Sequence, residues 1–374
     1  MITALICSLA LLLNREPQGQ MMTKFILPAT PNTLAHLFYQ EIHEPMDPPH
    51  EAPKKFGADK VPWFFPWLVS GYCETASNAS RDLRFQVFSQ EQKGNRNEQV
   101  MRMLLRLWEL NAERLGFDHN PDYKLGIVDV YLCFGGKAGG EQLLEKEFVP
   151  DPKIAGKLQV VTANTIYIYD LASFTDPIEM AREISHEYGH ASLPPVGGFK
   201  EPEEWVDGYL AEKLSLRWLR DLMAKGEITP DDVMGATAAD LDKWVKTNVD
   251  PLVLKSAQIQ PTPELISDKS AAGMNAFIGL AMYIDTIYSD SIFINSMKFS
   301  GSVEAKDYIE GVLRAASAPE EITLRIPPSF FGHAIWLPLG KGKLTGAKIL
   351  KFDKSGWVQV VVRNDPIVIT NPQP

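Results

Sequence analysis

A chain of 374 residues can bury a full core in one large domain or two ordinary ones. Its 45% hydrophobic and 22% charged residues exclude a disordered protein. A net charge of −10 and a pI near 5.3 argue against nucleic acid or an anionic membrane as partner, since neither attracts a surface of its own sign. No continuous basic run offsets that balance.

Met1 to Leu13 is apolar except for Thr3 and Ser8. It is too short to span a bilayer but has the length of a signal-peptide core. Residues 1–20 are therefore expected to be a signal peptide, the mature chain being exported without a stable membrane span. A true start at Met21 or Met22 would instead leave the protein cytoplasmic. Of the three cysteines, Cys7 falls in this segment, and Cys73 and Cys133 are either one disulfide or two buried thiols.

Residues 21–80 form an N-terminal proline-rich extension. Six prolines between Glu44 and Pro66 exclude regular helix or central strand there. His36, His43 and His50 are read as surface histidines, because a proline-rich stretch cannot present them on one helix face.

Regular patterning follows. Asp82 to Ser89 alternates apolar and polar residues as a half-buried strand does. Asn97 to Leu115 has the periodicity of an amphipathic helix stopped by Gly116. Leu125 to Phe134 reads as a second strand. The glycine-rich stretch Gly135 to Gly140 reads as a flexible loop, and lacks the order of a phosphate loop. Leu158–Thr162 and Thr165–Tyr169 read as a hairpin turning at Ala163-Asn164. The second of these strands is positioned to pair with an extended substrate.

The chemistry-bearing motif comes next: His186-Glu187-Tyr188-Gly189-His190. Histidines at i and i+4 leave one helix face together and can hold one Zn²⁺. Glu187 points about a quarter turn away, suited to act as general base rather than ligand. Asp176 is a good N-cap, Pro177 suits the first helical position, and Glu179 completes a capping box. Pro194-Pro195 ends the helix. Met180, Ile184, Tyr188 and Ala191 make its apolar stripe, leaving the histidines to face a cleft or solvent.

A third protein ligand is needed, and the next helix, expected over residues 202–222, can supply it. Its apolar stripe of Leu210, Ala211, Leu214, Trp218 and Leu222 continues back through Asp207 and Glu203. Carboxylates on an inward face are costly to bury unless paired or metal-bound. Depth on the stripe favours Asp207 as ligand, with Glu203 as the alternative. Glu204 and Glu212, off the stripe, are expected to be solvated.

HEYGH followed by Glu203-Glu204-Trp205-Val206-Asp207-Gly208-Tyr209-Leu210-Ala211-Glu212 resembles the gluzincin zinc metallopeptidases, in particular their peptidase MA-like branch. The resemblance covers about residues 82–92 and 99–314, and only the H-E-x-x-H is highly specific. It implies zinc on His186 and His190, Glu187 as general base, and a carboxylate of the following helix as third ligand. Asp207-Gly208 would occupy the family's Glu-Gly position, although Asp is one methylene shorter and the tryptophan one residue nearer. An alternative alignment makes Glu203 the ligand and Asp207 the group orienting a ligating histidine.

Helices are also expected over 230–247, 263–290 and 303–316. Tyr283 and Tyr288, conceivable oxyanion donors, read as core aromatics. From about residue 320 five short apolar runs separated by turns indicate a small β module, with His333 structural or superficial. The expected fold is therefore α+β: a zincin-like peptidase domain over 81–318 and an all-β module over 319–374. The expected function is zinc-dependent hydrolysis of peptide or protein substrates. A non-catalytic extracytoplasmic binding protein on the same fold, or a zinc hydrolase of a non-peptide amide or ester, is the alternative. Oligomeric state is not readable.

Overall fold

A computed structural model describes residues 22–28, 35–41, 65–75, 78–89 and 95–371, save 117, 121, 134–136, 152, 299, 301 and 302. The expected signal peptide, most of the proline-rich stretch, and His43 and His50 lie outside them. The protein is mixed α/β, with a partly parallel sheet, a helical region and small antiparallel C-terminal sheets. Two compact units are distinguished.

The first unit comprises Met1–Ala112, Phe117–Ser192 and Leu219–Ala238. Its sheet has seven strands in the order β1-β2-β3-β4-β5-β7-β6. They are β1 (Met22–Pro28), β2 (Ala35–Glu41), β3 (Phe65–Thr75), β4 (Asn78–Ser89), β5 (Tyr123–Leu132), β6 (Gly139–Pro150) and β7 (Leu158–Tyr169). β1 to β4 form an antiparallel meander, β4, β5 and β7 are mutually parallel, and β6 closes the edge antiparallel to β7. The parallel step from β4 to β5 needs a crossover, supplied by α1 (Asn95–Leu110), which runs on through a wider π turn, Asn111–Leu115.

Register sorts the side chains of β4, β5 and β7 onto two faces. Phe85 pairs with Val128, Val87 with Val130, and Val130 with Ile166, an apolar face buried throughout. Tyr131, Cys133, Tyr167 and Tyr169 form a buried cluster on the other. Cys133 is a free, buried thiol, so the disulfide alternative falls. Lys124 is also buried, its ammonium satisfied by Gln86 Oε1 at 2.9 Å, Asp129 Oδ2 at 2.6 Å and Glu147 Oε2 at 2.7 Å.

Four expectations fail here. Pro66 does not exclude a central strand: it lies in β3, between β2 and β4, opposite Phe88. Leu158 to Tyr169 is one continuous strand: Ala163 and Asn164 stay in the ladder, opposite Glu145 and Leu144. Asn164 is no turn residue because its side chain is fully used, accepting from Gln142 Nε2 at 2.8 Å and donating to Ala191 O at 2.8 Å. β7 also lies between β5 and β6, so its backbone is not open to a substrate. The glycine stretch does not stay a loop either, since Gly139 and Gly140 open β6. The pattern of β6 was illegible because polarity runs against burial: Leu144 and Phe148 are 53% and 65% exposed while Glu147 is buried, so hydrophobicity does not mark the inward face.

The second unit comprises Glu113–Gly116, Leu193–Trp218 and Ala239–Pro374. Its helices are the first part of α3 (Asp207–Ala224), α4 (Ala238–Asn248), α5 (Asp250–Gln258), α6 (Pro263–Ser267), α7 (Ala271–Ile287), α8 (Asp290–Lys298) and α9 (Tyr308–Ser317). The helix expected over 230–247 is broken. Thr229 and Asp232 form a capping box around a single turn, Pro230–Val233, and Met234 and Gly235 then take positive φ. That over 263–290 divides at Asp268-Lys269, where Ser270 caps α7 through Ala272 N at 3.2 Å. A Cβ on Gly273 would lie 1.7 Å from Asp268 O, so glycine is required for this reversal.

Six short strands complete the unit: β8 (Glu321–Thr323), β9 (Ala334–Pro338), β10 (Lys343–Thr345), β11 (Lys348–Phe352), β12 (Trp357–Val361) and β13 (Val368–Thr370). They form two antiparallel sheets, β10-β13-β8 and β11-β12-β9. The sheets are docked on the helices rather than tethered. Tyr283 donates to Trp336 O at 2.8 Å, Tyr288 to Pro338 O at 3.4 Å, and Arg325 N to Ile287 O at 2.8 Å. Both tyrosines are fully buried and serve as core anchors.

Candidate metal centre

The motif sits on α2 (Pro177–Ser192). Asp176 caps it as expected, its Oδ1 accepting from Ile178 N at 2.9 Å, whereas Glu179 turns outward to pair with Arg182. Met180, Ile184, Tyr188 and Ala191 are all buried, so the apolar stripe lies where periodicity put it. Side chains also satisfy the C-terminal carbonyls, which have no helical partner. Ser192 Oγ donates to Tyr188 O at 2.6 Å and receives Asn111 Nδ2 at 3.0 Å, while Asn164 takes Ala191 O.

Tyr188 holds the helix from behind. Its hydroxyl is 2.9 Å from His119 Nε2, and His119 Nδ1 is 2.9 Å from Gly126 O. A carbonyl only accepts, so Nδ1 carries the proton, Nε2 accepts, and Tyr188 donates. Phe85 packs edge-on against the His119 ring at 4.9 Å. Burial pushes the His119 imidazole down to about 4, so it is neutral at ordinary pH. Nothing in the sequence around this isolated histidine singles it out; the neighbours that define it come from β4, β5 and α2.

On the other side, the Nε2 atoms of His186 and His190 stand 3.2 Å apart, both rings half-buried. Two nitrogens on one tetrahedral zinc, each about 2.05 Å from it, would be about 3.3 Å apart. Glu187 is buried, and β6 touches it: a Cβ on Gly140 would fall 2.5 Å from Glu187 Cγ and 2.7 Å from its Oε1. Edge strand and Glu187 are thus in van der Waals contact only because residue 140 is glycine.

The chain beyond α2 differs from expectation. α3 starts at Asp207, not near 202, and Glu203 belongs to the loop before it. Local pairing explains why: Val206 N bonds Val196 O at 2.9 Å and Phe199 N bonds Glu204 O at 3.3 Å, folding 196–206 back on itself. Gly197 makes room for Trp205, whose ring would be 2.7 Å from a Cβ there. Glu203 and Asp207 therefore do not share a helix stripe. One Glu203 carboxylate oxygen joins one nitrogen from each histidine in a cluster whose ligand atoms all lie within 4.8 Å of one another. Asp207, favoured from the stripe, is not in that cluster; it is buried at the first turn of α3, where an acid complements the helix dipole. Glu204 is exposed as expected. Glu212 is not: it is buried, with Lys213 Nζ at 2.7 Å.

Comparison with protein-family models and with curated proteins finds no match to this chain.

Proposed function

We propose that this protein is a zinc-dependent metallopeptidase, with the metal held by His186, His190 and Glu203. The reading rests on one observation above the others: two imidazole nitrogens 3.2 Å apart, on a helix that also carries a buried glutamate, in one cluster with a carboxylate oxygen. Two imidazoles and one carboxylate are a donor set suited to zinc with a fourth position left open. The chain order of strand, helix, strand, edge strand, inner strand and motif helix supports the gluzincin resemblance and a zincin-like fold.

A bound zinc would supply Lewis acidity, polarising the scissile carbonyl and acidifying water. The protein's own residues do the rest. Glu187 accepts the proton of the attacking water and returns it to the departing amine nitrogen. Gly140 holds that carboxylate in place by leaving room for it. β6, at the sheet edge and against Glu187, offers backbone donors and acceptors for an extended peptide, the role that β7 cannot take.

Metal content and peptide hydrolysis, measured together in wild type and three variants, test the reading. Glu187→Gln is expected to keep its metal and lose activity by about 10²–10⁴-fold. Glu203→Ala is expected to lose both, and Asp207→Ala to retain its metal. Full zinc occupancy with no hydrolysis across a peptide library would sink the peptidase reading, and metal retained in Glu203→Ala would remove the assigned third ligand.

A further inference from the structure

The strand that flanks Glu187 continues well past it. β6 alternates its side chains between two faces. Its even-numbered positions share the face that α2 covers, since a Cβ on Gly140 would meet Glu187. Gln142 lies on that side too, donating to Asn164, which in turn bonds Ala191 O in the last turn of α2. The odd-numbered acids are engaged on the other face: Glu145 accepts from the Tyr167 hydroxyl at 2.8 Å, and Glu147 pairs with Lys124 at 2.7 Å.

Cover ends with the helix. Asn164 lies opposite Leu144, so beyond that pair the even face, with Lys146 and Phe148 beside Thr162 and Val160 of β7, outruns α2. Leu144 is 53%, Phe148 65% and Val160 54% exposed, and Phe148 stands directly opposite Val160. Large apolar side chains grouped on one face mark an interaction site, where single ones would not. The backbone beside them is also open. Among the described residues β6 is the last strand of its sheet, and its register with β7 runs without a bulge from Gly139 to Pro150, the kind of edge that invites another strand. A second copy of β6 is a poor occupant. Laying strip on strip about a two-fold axis sets Lys146 against Lys146, and like charges directly opposite are unfavourable.

We propose that Leu144 and Phe148, backed by Val160, are a remote recognition strip for an unfolded polypeptide substrate, holding apolar side chains about four and about eight residues before the bond that is cleaved. This rests on the peptidase reading and adds a substrate class to it: a long extended segment, not a dipeptide or tripeptide. The direction follows from pairing. An antiparallel strand is the more stable neighbour, and its residues run towards the amino terminus as β6 runs from Gly140 to Phe148. Side chains four and eight places back from the one opposite Gly140 fall on the α2 face, beside Leu144 and Phe148. Eight residues of extended chain cover about 27 Å, so a short peptide at Glu187 does not reach the strip.

Binding and hydrolysis of a fluorescent peptide of about 14 residues test it, binding on Glu187→Gln and hydrolysis on the zinc-loaded wild type. The peptide carries two leucines four places apart near the amino terminus of a polar chain, and its control has serine at both. Expected is about tenfold tighter binding per leucine, with the cut falling about four residues after the second one. Leu144→Thr with Phe148→Thr should remove that gain and raise KM about 100-fold with kcat unchanged. Cleavage of a peptide of about six residues spanning the same bond should stay as in wild type, as should thermal unfolding, because both side chains are exposed. The strip is overturned if the leucine and serine peptides bind alike, if the gain survives the double substitution, or if the leucines help only when placed after the cut. It is overturned too if the wild type self-associates and the double variant does not, which would give the face to a second copy. Leucine-dependent binding that the double variant loses, with no hydrolysis by the zinc-loaded wild type, would keep the strip and remove the peptidase reading instead.

Discussion

Gly140 and Glu187 stand 47 positions apart in the chain, and the side chain of one exists where it does because the other has none. A Cβ at 140 would overlap Glu187 Cγ at 2.5 Å, well inside any real contact. Glu187 is the inner partner, buried on a capped helix, so an added methyl moves the carboxylate rather than the backbone. Gly140→Ala is therefore expected to keep the metal and fold of the wild type while hydrolysis falls about 10²-fold, the usual cost of a 1 Å misplacement. Zinc content and turnover on the same sample check this; unchanged turnover would deny β6 its part in placing the base. The placing of His186, Glu187 and His190 on one helix was legible because it is written in a local spacing, i and i+4. The loop position of Glu203 was not legible. The stripe argument presumed that 203 and 207 share a helix, and backbone bonds from Val206 and Phe199 decided otherwise.

At the scale of elements, α2 is held at three places by side chains from outside it. Asn164 and Asn111 reach its last turn, and His119 accepts from Tyr188. Its cap, apolar stripe and end were all readable, since they depend on neighbours within a few positions; its partners were not, since they come from other strands. The His119 contact makes the fold sensitive to acid. Its folded pKa is depressed to about 4 from 6.5, so between those values the unfolded chain binds a proton that the native one does not. Stability therefore rises with pH across this window and is lost as pH falls from 6.5 towards 4, by ~3 kcal/mol from this group. Urea unfolding at pH 7 and pH 4.5 should record the loss, and His119→Gln should flatten that part of the profile. A wild-type stability independent of pH over this range would contradict the neutral, buried assignment.

For the whole molecule, metal binding and folding should be linked. The three proposed ligands come from a helix and from the loop that follows it, so an unfolded chain has no formed site, and a ligand of the native state alone stabilises by mass action. Zinc at about 100 times its dissociation constant should add about 2.7 kcal/mol, read as a higher thermal midpoint that a chelator reverses and Glu203→Ala lacks. An identical midpoint with and without zinc would separate the cluster from metal binding. The C-terminal strands belong to this scale as well. Their β character was plain from five apolar runs, yet their docking on α7 through Tyr283, Tyr288 and Arg325 was not, because hydrogen bonds to backbone carbonyls leave no mark on composition.

By itself the sequence determined that the chain is globular and mixed in structure, that a capped helix ends before Pro194, and that two histidines and a glutamate share it at metal-binding spacing. Those are short-range matters: cap chemistry, helical period and proline sterics act within a turn or two. Only the tertiary structure decided that β7 is enclosed while β6 forms the edge, that Gly140 rather than a loop meets Glu187, and that Glu203 lies in a loop rather than on the helix that Asp207 begins. Each of those turns on a long-range pairing or a chain reversal, whose hydrogen bonds join residues that no local pattern connects.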